Sequence, residues 1–278
     1  MNQSGTLYIV ATPIGNLDDI SYRAIKVLES VDFILCEDTR RSIKLLNHYN
    51  IKKQLISYHK FNETASVEHI ISRLRSGDSG ALISDAGTPL ISDPGNILTE
   101  SLIEQNIPFL VIPGANALLP ALIYSGFKTD QFMFYGFLSK KKNLRKSELS
   151  QLSKQTIPVI LYVAPHDLKA VLNDIYNEMP QRRLSLSKEI SKVYEQTVRG
   201  NAEELLSLLP EEIKGEYVLV LDGNPDTILS ETLTYSDDDL KLMYQKLLSE
   251  GQEPNEALKI IAKQSGNTKR DLYEKLRK

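Results

Sequence analysis

Four short segments of this chain set glycine, proline and small polar side chains directly after apolar runs. They are Thr12-Pro13-Ile14-Gly15-Asn16, Glu37-Asp38-Thr39-Arg40, the stretch from Asp85 to Gly95, and Pro113-Gly114-Ala115-Asn116-Ala117. Glycine lets a backbone approach a ligand closely, and proline fixes the shape of a loop. In an open parallel sheet, ligands bind beyond the carboxyl ends of the strands. One such loop is ordinary turn chemistry; four at strand ends point to a binding site. The second also concentrates charge, with two acids and an arginine behind an apolar run and Arg41 after them. Dense charge in a cleft is the setting in which side chains acquire perturbed ionisation.

These segments do not match the commoner phosphate-binding or nucleophile signatures. The chain has no Gly-x-x-x-x-Gly-Lys-Ser/Thr loop, no Gly-x-Gly-x-x-Gly run after its first apolar segment and no Gly-x-Ser-x-Gly elbow. His48, His59, His69 and His166 are scattered, and the single cysteine, Cys36, lies inside an apolar run. Neither a metal site nor a disulfide framework is expected.

The elements that must carry these loops follow from hydrophobic period. Apolar runs at Leu7–Ala11, Val31–Cys36, Leu55–Tyr58, Ala81–Ser84 and Phe109–Ile112 read as strands. They alternate with helical spacing over Ser21–Ser30, Glu63–Ser76, Ile97–Gln105 and from about Asn116. This order predicts a mostly parallel α/β sheet. A second α/β unit begins near Met133. It has strands at Met133–Tyr135, Val159–Val163, Arg183–Ser187 and Tyr217–Leu221, and helices near Lys140–Lys154, Leu168–Met179 and Asn201–Leu209. Residues 1–125 and 126–228 are thus the expected α/β domains. Pro225–Ser236 reads as a linker, and residues 237–278 as a small appendage of three helices, about 237–249, 254–264 and 268–277. Its last ten residues carry a net charge of +3, which suits a helix-turn-helix-like RNA contact.

At 278 residues, 41% hydrophobic and 25% charged, the chain has an ordinary globular composition and room for about two domains. The net charge of −3 excludes a generic polyanion binder, so any nucleic-acid contact must be local. The N-terminus has no basic segment followed by a long apolar one, and no apolar run approaches the roughly 20 residues of a membrane span. A cytoplasmic protein without a membrane partner is expected.

Taken together, the motifs resemble those of the tetrapyrrole methylase superfamily, the class III methyltransferases that use S-adenosylmethionine. Within it they resemble the branch that 2′-O-methylates a cytidine of small-subunit (16S) ribosomal RNA. The resemblance rests on Val10–Leu17, Cys36–Arg40, Ser84–Gly95 and Pro113–Ala117. In the second unit it rests on Tyr162 with Pro165-His166, Glu189-Ile190-Ser191-Lys192 with Glu195, and Lys214-Gly215-Glu216. It spans almost the whole chain and implies two α/β domains with the donor in the cleft between them, and a homodimer. It further implies that Pro13, Gly15, Asp85, Gly87, Thr88, Ile91, Pro113, Asn116 and Ala117 form the donor site, with Tyr162 contributing from the second domain. Where the family usually reads Tyr-Glu-Ser-Pro-His-Arg, this chain has Val163 and Asp167 at the second and last positions.

Methyl transfer to a ribose hydroxyl calls for a positioned base. Asp38, Glu37, Glu189 and Lys192 are the candidates, with Asp85 and Asp93 expected to support loop geometry. Phosphate contacts are expected from Arg40 and Arg41 and from Lys140, Lys141, Lys142 and Arg145. The last four belong to a segment, 139–154, with six basic residues and one acid. Two other readings remain open: methylation of a small molecule or a protein side chain, and RNA binding without catalysis.

Overall fold

A computed structural model describes residues 4–224, 236–265 and 268–276. The expected linker lies almost wholly outside the described residues. The rest falls into two compact units. One runs to Ser153 and resumes over Ile157–Asp222; the other joins Lys154–Thr156 to the chain from Gly223 onward.

The first unit holds two five-stranded sheets. In the first sheet, β1 (Leu7–Val10), β2 (Phe33–Cys36), β3 (Gln54–Ser57), β4 (Gly80–Ile83) and β5 (Phe109–Ile112) are ordered β3-β2-β4-β1-β5. Every pairing is parallel. The period of two sorts the side chains. Phe33 and Leu35 face a core shared with α3 (Glu63–Arg75) and α4 (Asn96–Glu104). Ile34 and Cys36 face a second core shared with α1 (Tyr22–Ser30) and α2 (Thr39–His48). Strands β2 and β4 are buried on both faces, as their unbroken apolar runs require.

Helix α2 is not predicted by the sequence. Its low overall hydropathy conceals it from a search for apolar runs, although Ser42 and Leu46 form a clear buried face; Asp38 caps it by accepting the Arg40 amide at 2.8 Å. The charged segment is therefore a strand end followed by the first turn of a helix.

The second sheet contains β6 (Met133–Phe137), β7 (Val159–Val163), β8 (Leu184–Lys188), β9 (Gln196–Gly200) and β10 (Tyr217–Leu221), ordered β6-β7-β10-β8-β9. Only β6 and β7 run parallel. Strand β9 is hidden in the sequence because Gln196, Thr197 and Arg199 dilute its apolar signal; it is an edge strand. One face of this sheet packs on α6 (Lys142–Leu152), α7 (Pro165–Glu178) and α8 (Ala202–Ser207). The other receives α5 (Leu118–Ser125), whose Ala121 and Leu122 sit against Ile160, Val218 and Val220. Helix α5, which the sequence assigns to the first domain, thus packs on the second sheet.

The second unit is built from α9 (Asp237–Ser249), α10 (Pro254–Ser265) and α11 (Lys269–Leu276). Leu240, Leu258, Ile261 and Leu272 form its core. Ser236 and Asp239 close a capping box at the start of α9.

Candidate active site

The loop after β4 is anchored at both ends. At its start, Thr12 and Gly87 exchange backbone hydrogen bonds of 2.8 and 3.0 Å, which ties it to the loop after β1. At its end, one oxygen of the buried Glu63 accepts the Gly95 amide at 2.8 Å, the Ile97 amide at 3.2 Å and the Tyr58 hydroxyl at 2.9 Å. Glu63 thereby supplies the anionic partner that the start of α4 needs, since Gly95 offers no side chain. Between these anchors the backbone turns left-handed at Leu90 (φ 72°) and Ser92 (φ 69°). Each such residue costs about 1–2 kcal/mol. The side chain of Leu90 packs against the core under β4 and holds the turn, while Ile91 projects outward.

This loop forms one wall of a cavity of about 440 Å³ between the two sheets of the first unit. The first sheet contributes Ile14, Glu37, Arg41, Asp85–Thr88, Ile91–Asp93, Asn116 and Ala117. The second contributes Phe137, Tyr162–Pro165 and Glu216–Val218. Gly87 has φ +83°, and a Cβ there would lie 3.3 Å from Ile14, so the backbone reaches the cavity only as glycine. Tyr162 is braced edge-on by Phe134 and Phe137, with ring centroids 5.0 and 5.7 Å away.

The cavity is acidic. Burial, followed by the charge of Glu37, pushes the Asp93 carboxyl up to about 6; a hydrogen bond from Ser84 opposes this and Asp85 adds to it. Burial and then Asp85 also raise Glu37, while His59 and Arg41 favour its charge. Burial raises the Tyr162 phenol to about 12, with the charge of Asp93 second, against hydrogen bonds from the Ala117 and Leu118 backbone. Arg41 pairs with Asp85 at 3.2 Å. Among the described residues, neither Glu37 nor Asp93 is in an ion pair.

The structure brings together nine of the sequence-predicted site residues: Glu37, Arg41, Asp85, Gly87, Thr88, Ile91, Asn116, Ala117 and Tyr162 all line the cavity. Pro13, Gly15 and Pro113 lie in the same loops but not in its wall. Gly15 instead lets Lys192 pass, since a Cβ there would fall 2.3 Å from the Lys192 side chain.

Four expectations need correction. Asp38 is spent on capping α2 and on Arg40, whose hydrogen bonds hold its carboxyl down at about 2. Lys192 bonds Glu189 at 3.0 Å and Glu216 at 2.9 Å; despite partial burial these partners raise its pKa, so it has no free pair to accept a proton. Glu189 is held below the usual carboxylate range by the Glu216 amide and Lys192, against burial. It closes the turn at Gly215, where its carboxylate lies 2.7 Å from an added Cβ. Arg145 is buried on Asp174 at 2.7 Å and offers nothing to phosphate. Arg40 and Lys140–Lys142 remain exposed.

A profile of the family Tetrapyrrole (Corrin/Porphyrin) Methylases matches residues 6–206. The chain belongs to this family. It is 40% identical over 273 residues to ribosomal RNA small subunit methyltransferase I of Halalkalibacterium halodurans, covering 98% of this chain and 94% of that protein. It is equally 40% identical to the protein of that name from Bacillus subtilis, over 97% and 93% of the two chains. Solved structures share the fold at low identity. The methyltransferase CobJ superposes with a TM-score of 0.61 at 16% identity, over 79% of this chain and 95% of that one. Diphthine synthase gives 0.60 at 13%, over 79% and 90%. A uroporphyrin-III C-methyltransferase from Thermus thermophilus, complexed with S-adenosyl homocysteine, gives 0.57 at 14%, over 78% and 97%.

As a tetrapyrrole methylase the chain is a methyltransferase, and S-adenosylmethionine is the family's donor. The cavity residues fit that donor. Ile14, Ile91, Ala117 and Tyr162 offer faces for an apolar ring, and Glu37, Asp85, Asp93 and Glu216 offer negative charge to a cationic ligand. Its volume is that of an ordinary small-molecule site. Sequence reasoning missed Phe137, Val163, Glu216 and Tyr217 as wall residues, because they come from a second sheet whose approach no local pattern encodes. It placed Asp93 only as loop support, although the Ser92-Asp93-Pro94-Gly95 run lies within a motif already singled out.

Proposed function

We propose that the chain methylates the ribose 2′-oxygen of a cytidine in small-subunit (16S) ribosomal RNA. The observation that carries this reading is the 40% identity, over 98% of the chain, to a ribosomal RNA small subunit methyltransferase. The donor supplies an already activated methyl group. The enzyme's first task is therefore orientation: the hydroxyl oxygen must lie in line with the methyl–sulfur bond, which can be worth about 7–11 kcal/mol. Thr88, Ile91, Asn116, Ala117 and Tyr162 hold the donor against the strained loop, with Asp85 fixed by Arg41. A base within reach of the hydroxyl adds about 10²–10⁴-fold.

Phosphates of the RNA meet Arg41 in the cavity wall and the exposed Arg40 and Lys140–Lys142, and the target nucleotide enters unstacked. The three-helix unit is a further RNA contact. The enzyme works in the cytoplasm as a homodimer. Leu110 and Val111 on edge strand β5 and Ile123 on α5, each about half-exposed or more, are the apolar surface a second copy would cover. No helix among the described residues is long and apolar enough to cross a membrane.

The test is transfer of labelled methyl from the donor to small ribosomal subunits that lack the modification. Label in the RNA is expected. Label in ribosomal protein, or donor binding without transfer, contradicts the reading.

A further inference from the structure

We infer that Phe61 is a stacking platform for a nucleobase of the substrate RNA, one that flanks the nucleotide entering the cavity; the assignment rests on the RNA-methylation reading above. Among the described residues Phe61 is the most exposed large apolar side chain, at 96%. A single apolar side chain at a surface is ordinary. This one is held in a fixed place beside the cavity and has basic neighbours, and those two observations give it a partner.

The turn at 58–62 follows edge strand β3, which pairs with β2. Cys36 and Ser57 are register partners, and the Tyr58 amide donates to the Cys36 carbonyl at 2.8 Å. The turn therefore starts alongside Glu37, the next residue of the neighbouring strand end and part of the cavity wall. At its other end Glu63 accepts the Gly95 amide, which ties the turn to the loop that carries the wall residues Ile91–Asp93. Asn62 locks the turn internally: its side chain accepts the His59 amide at 2.8 Å and donates to the Ser57 carbonyl at 2.9 Å. The Asn62 and Glu63 amides both donate to the His59 carbonyl at 3.0 Å. The His59 ring meets Phe61 with centroids 6.1 Å apart and planes inclined at 65°, and the rest of the Phe61 ring is open to solvent. A backbone ordered before the base arrives has little freedom left to lose on binding.

The charge around the cavity favours this kind of contact. Glu37, Asp85, Asp93 and Glu216 repel a polyanion from the wall itself. A strand passing close to them is better held by its bases, and an aromatic ring accepts any base because every base has a π-face. The phosphates beside the stacked base have cations within the same region. Lys60, next to Phe61 in the chain, is exposed, and Arg40 and Arg41 begin α2 at the same end of the sheet. Both arginines bond acids, Asp38 and Asp85, but their side chains are 87% and 69% exposed. Exposed pairs are weak, so a phosphate can share these guanidinium groups. The chain neighbours of Phe61 are the polar Lys60, Asn62 and Thr64, which do not build the apolar core that a protein partner would cover.

The chain has no tryptophan, so Phe61→Trp places a single fluorescent reporter on the platform. Its emission is followed as protein-free small-subunit RNA is added. Single-turnover methyl transfer to unmodified small ribosomal subunits is then compared among wild type, Phe61→Ala, Phe61→Leu and Phe61→Trp, with donor affinity measured by calorimetry. Expected are quenching of the reporter as RNA binds, and a subunit concentration for half-saturation about 5- to 150-fold higher in Phe61→Ala. Phe61→Leu should recover little of that loss and Phe61→Trp nearly all of it. Donor affinity should stay within a few-fold, and the salt dependence of RNA binding should keep its slope, since no phosphate contact is removed. The assignment is overturned by a Phe61→Ala variant with an unchanged subunit requirement, by a Phe61→Leu variant equal to wild type, or by a reporter unmoved by RNA that binds. It is also overturned by an equal loss of donor affinity, which marks the turn as structural, or by emission that follows enzyme concentration without RNA, which marks a second copy on the ring. With a wild type that labels RNA, each of these results leaves the methylation reading standing. A wild type that labels no RNA overturns both.

Discussion

Arg145 and Asp38 show how the same residue type changes meaning with its neighbours. In the sequence, Arg145 belongs to a basic run and Asp38 to a charged loop. In the structure, Arg145 is buried on Asp174, whose carboxylate accepts from its Nε at 2.8 Å, and Asp38 caps a helix. Burial of a single residue in an otherwise exposed run is decided by tertiary packing, which local charge does not contain. Removing one partner of a buried pair leaves the other charge uncompensated, at about 3–5 kcal/mol. Asp174→Ala should therefore lower stability by roughly that amount in denaturant melts, and double substitution to a matched apolar pair should restore much of it. Asp93 runs the other way. Its folded pKa of about 6 lies above the ordinary aspartate range. The folded state binds the proton more tightly, so this group costs nothing below the unfolded pKa and destabilises the fold as pH rises through both values. Asp93→Asn should raise the melting temperature at a pH well above 6, with the gain shrinking on acidification. A gain that grows as the pH falls would contradict the sign.

At the scale of elements, the parallel sheet is legible because its central strands are continuous apolar runs and most of its helices have clear periods. The polar elements are not. Edge strand β9 alternates weakly and takes its form from its neighbour β8, whereas α2 has a buried face at Ser42 and Leu46 set among Arg40, Arg41 and Lys44, which lower its overall hydropathy. Glu63 is the least visible of the residues that matter. It reads as an ordinary first-turn acid of α3, yet it holds the far end of the loop after β4. Glu63→Ala removes hydrogen bonds to a buried charge, each worth about 1.5–3 kcal/mol. Melting should show a clear destabilisation and calorimetry a weaker affinity for the donor, while Glu63→Gln, which keeps an acceptor, should lose less of both. Lys140–Lys142 precede or begin α6 and are exposed. Reversing their charges should weaken RNA binding and flatten its dependence on salt, because a protein that neutralises fewer phosphates releases fewer counterions. An unchanged salt slope would remove this segment from the RNA surface.

For the whole molecule, the sequence anticipates two α/β sheets and a helical end, and the three helices of the second unit fall where their apolar spacing places them. It does not anticipate that α5 leaves the first sheet to pack on the second. That exchange carries Asn116 and Ala117 from the end of β5 to the foot of α5, into the wall between the sheets. The donor loops are readable one by one; the cavity they make with Tyr162 and Glu216 needs the second sheet. The central claim, ribose methylation of a cytidine, is tested most directly by mass spectrometry of nucleosides from small-subunit RNA, after reaction with the purified enzyme and isotopically labelled donor. Label in 2′-O-methylcytidine alone is expected. Label on a nucleobase, on another ribose, or on no nucleoside while the enzyme still binds donor would contradict it.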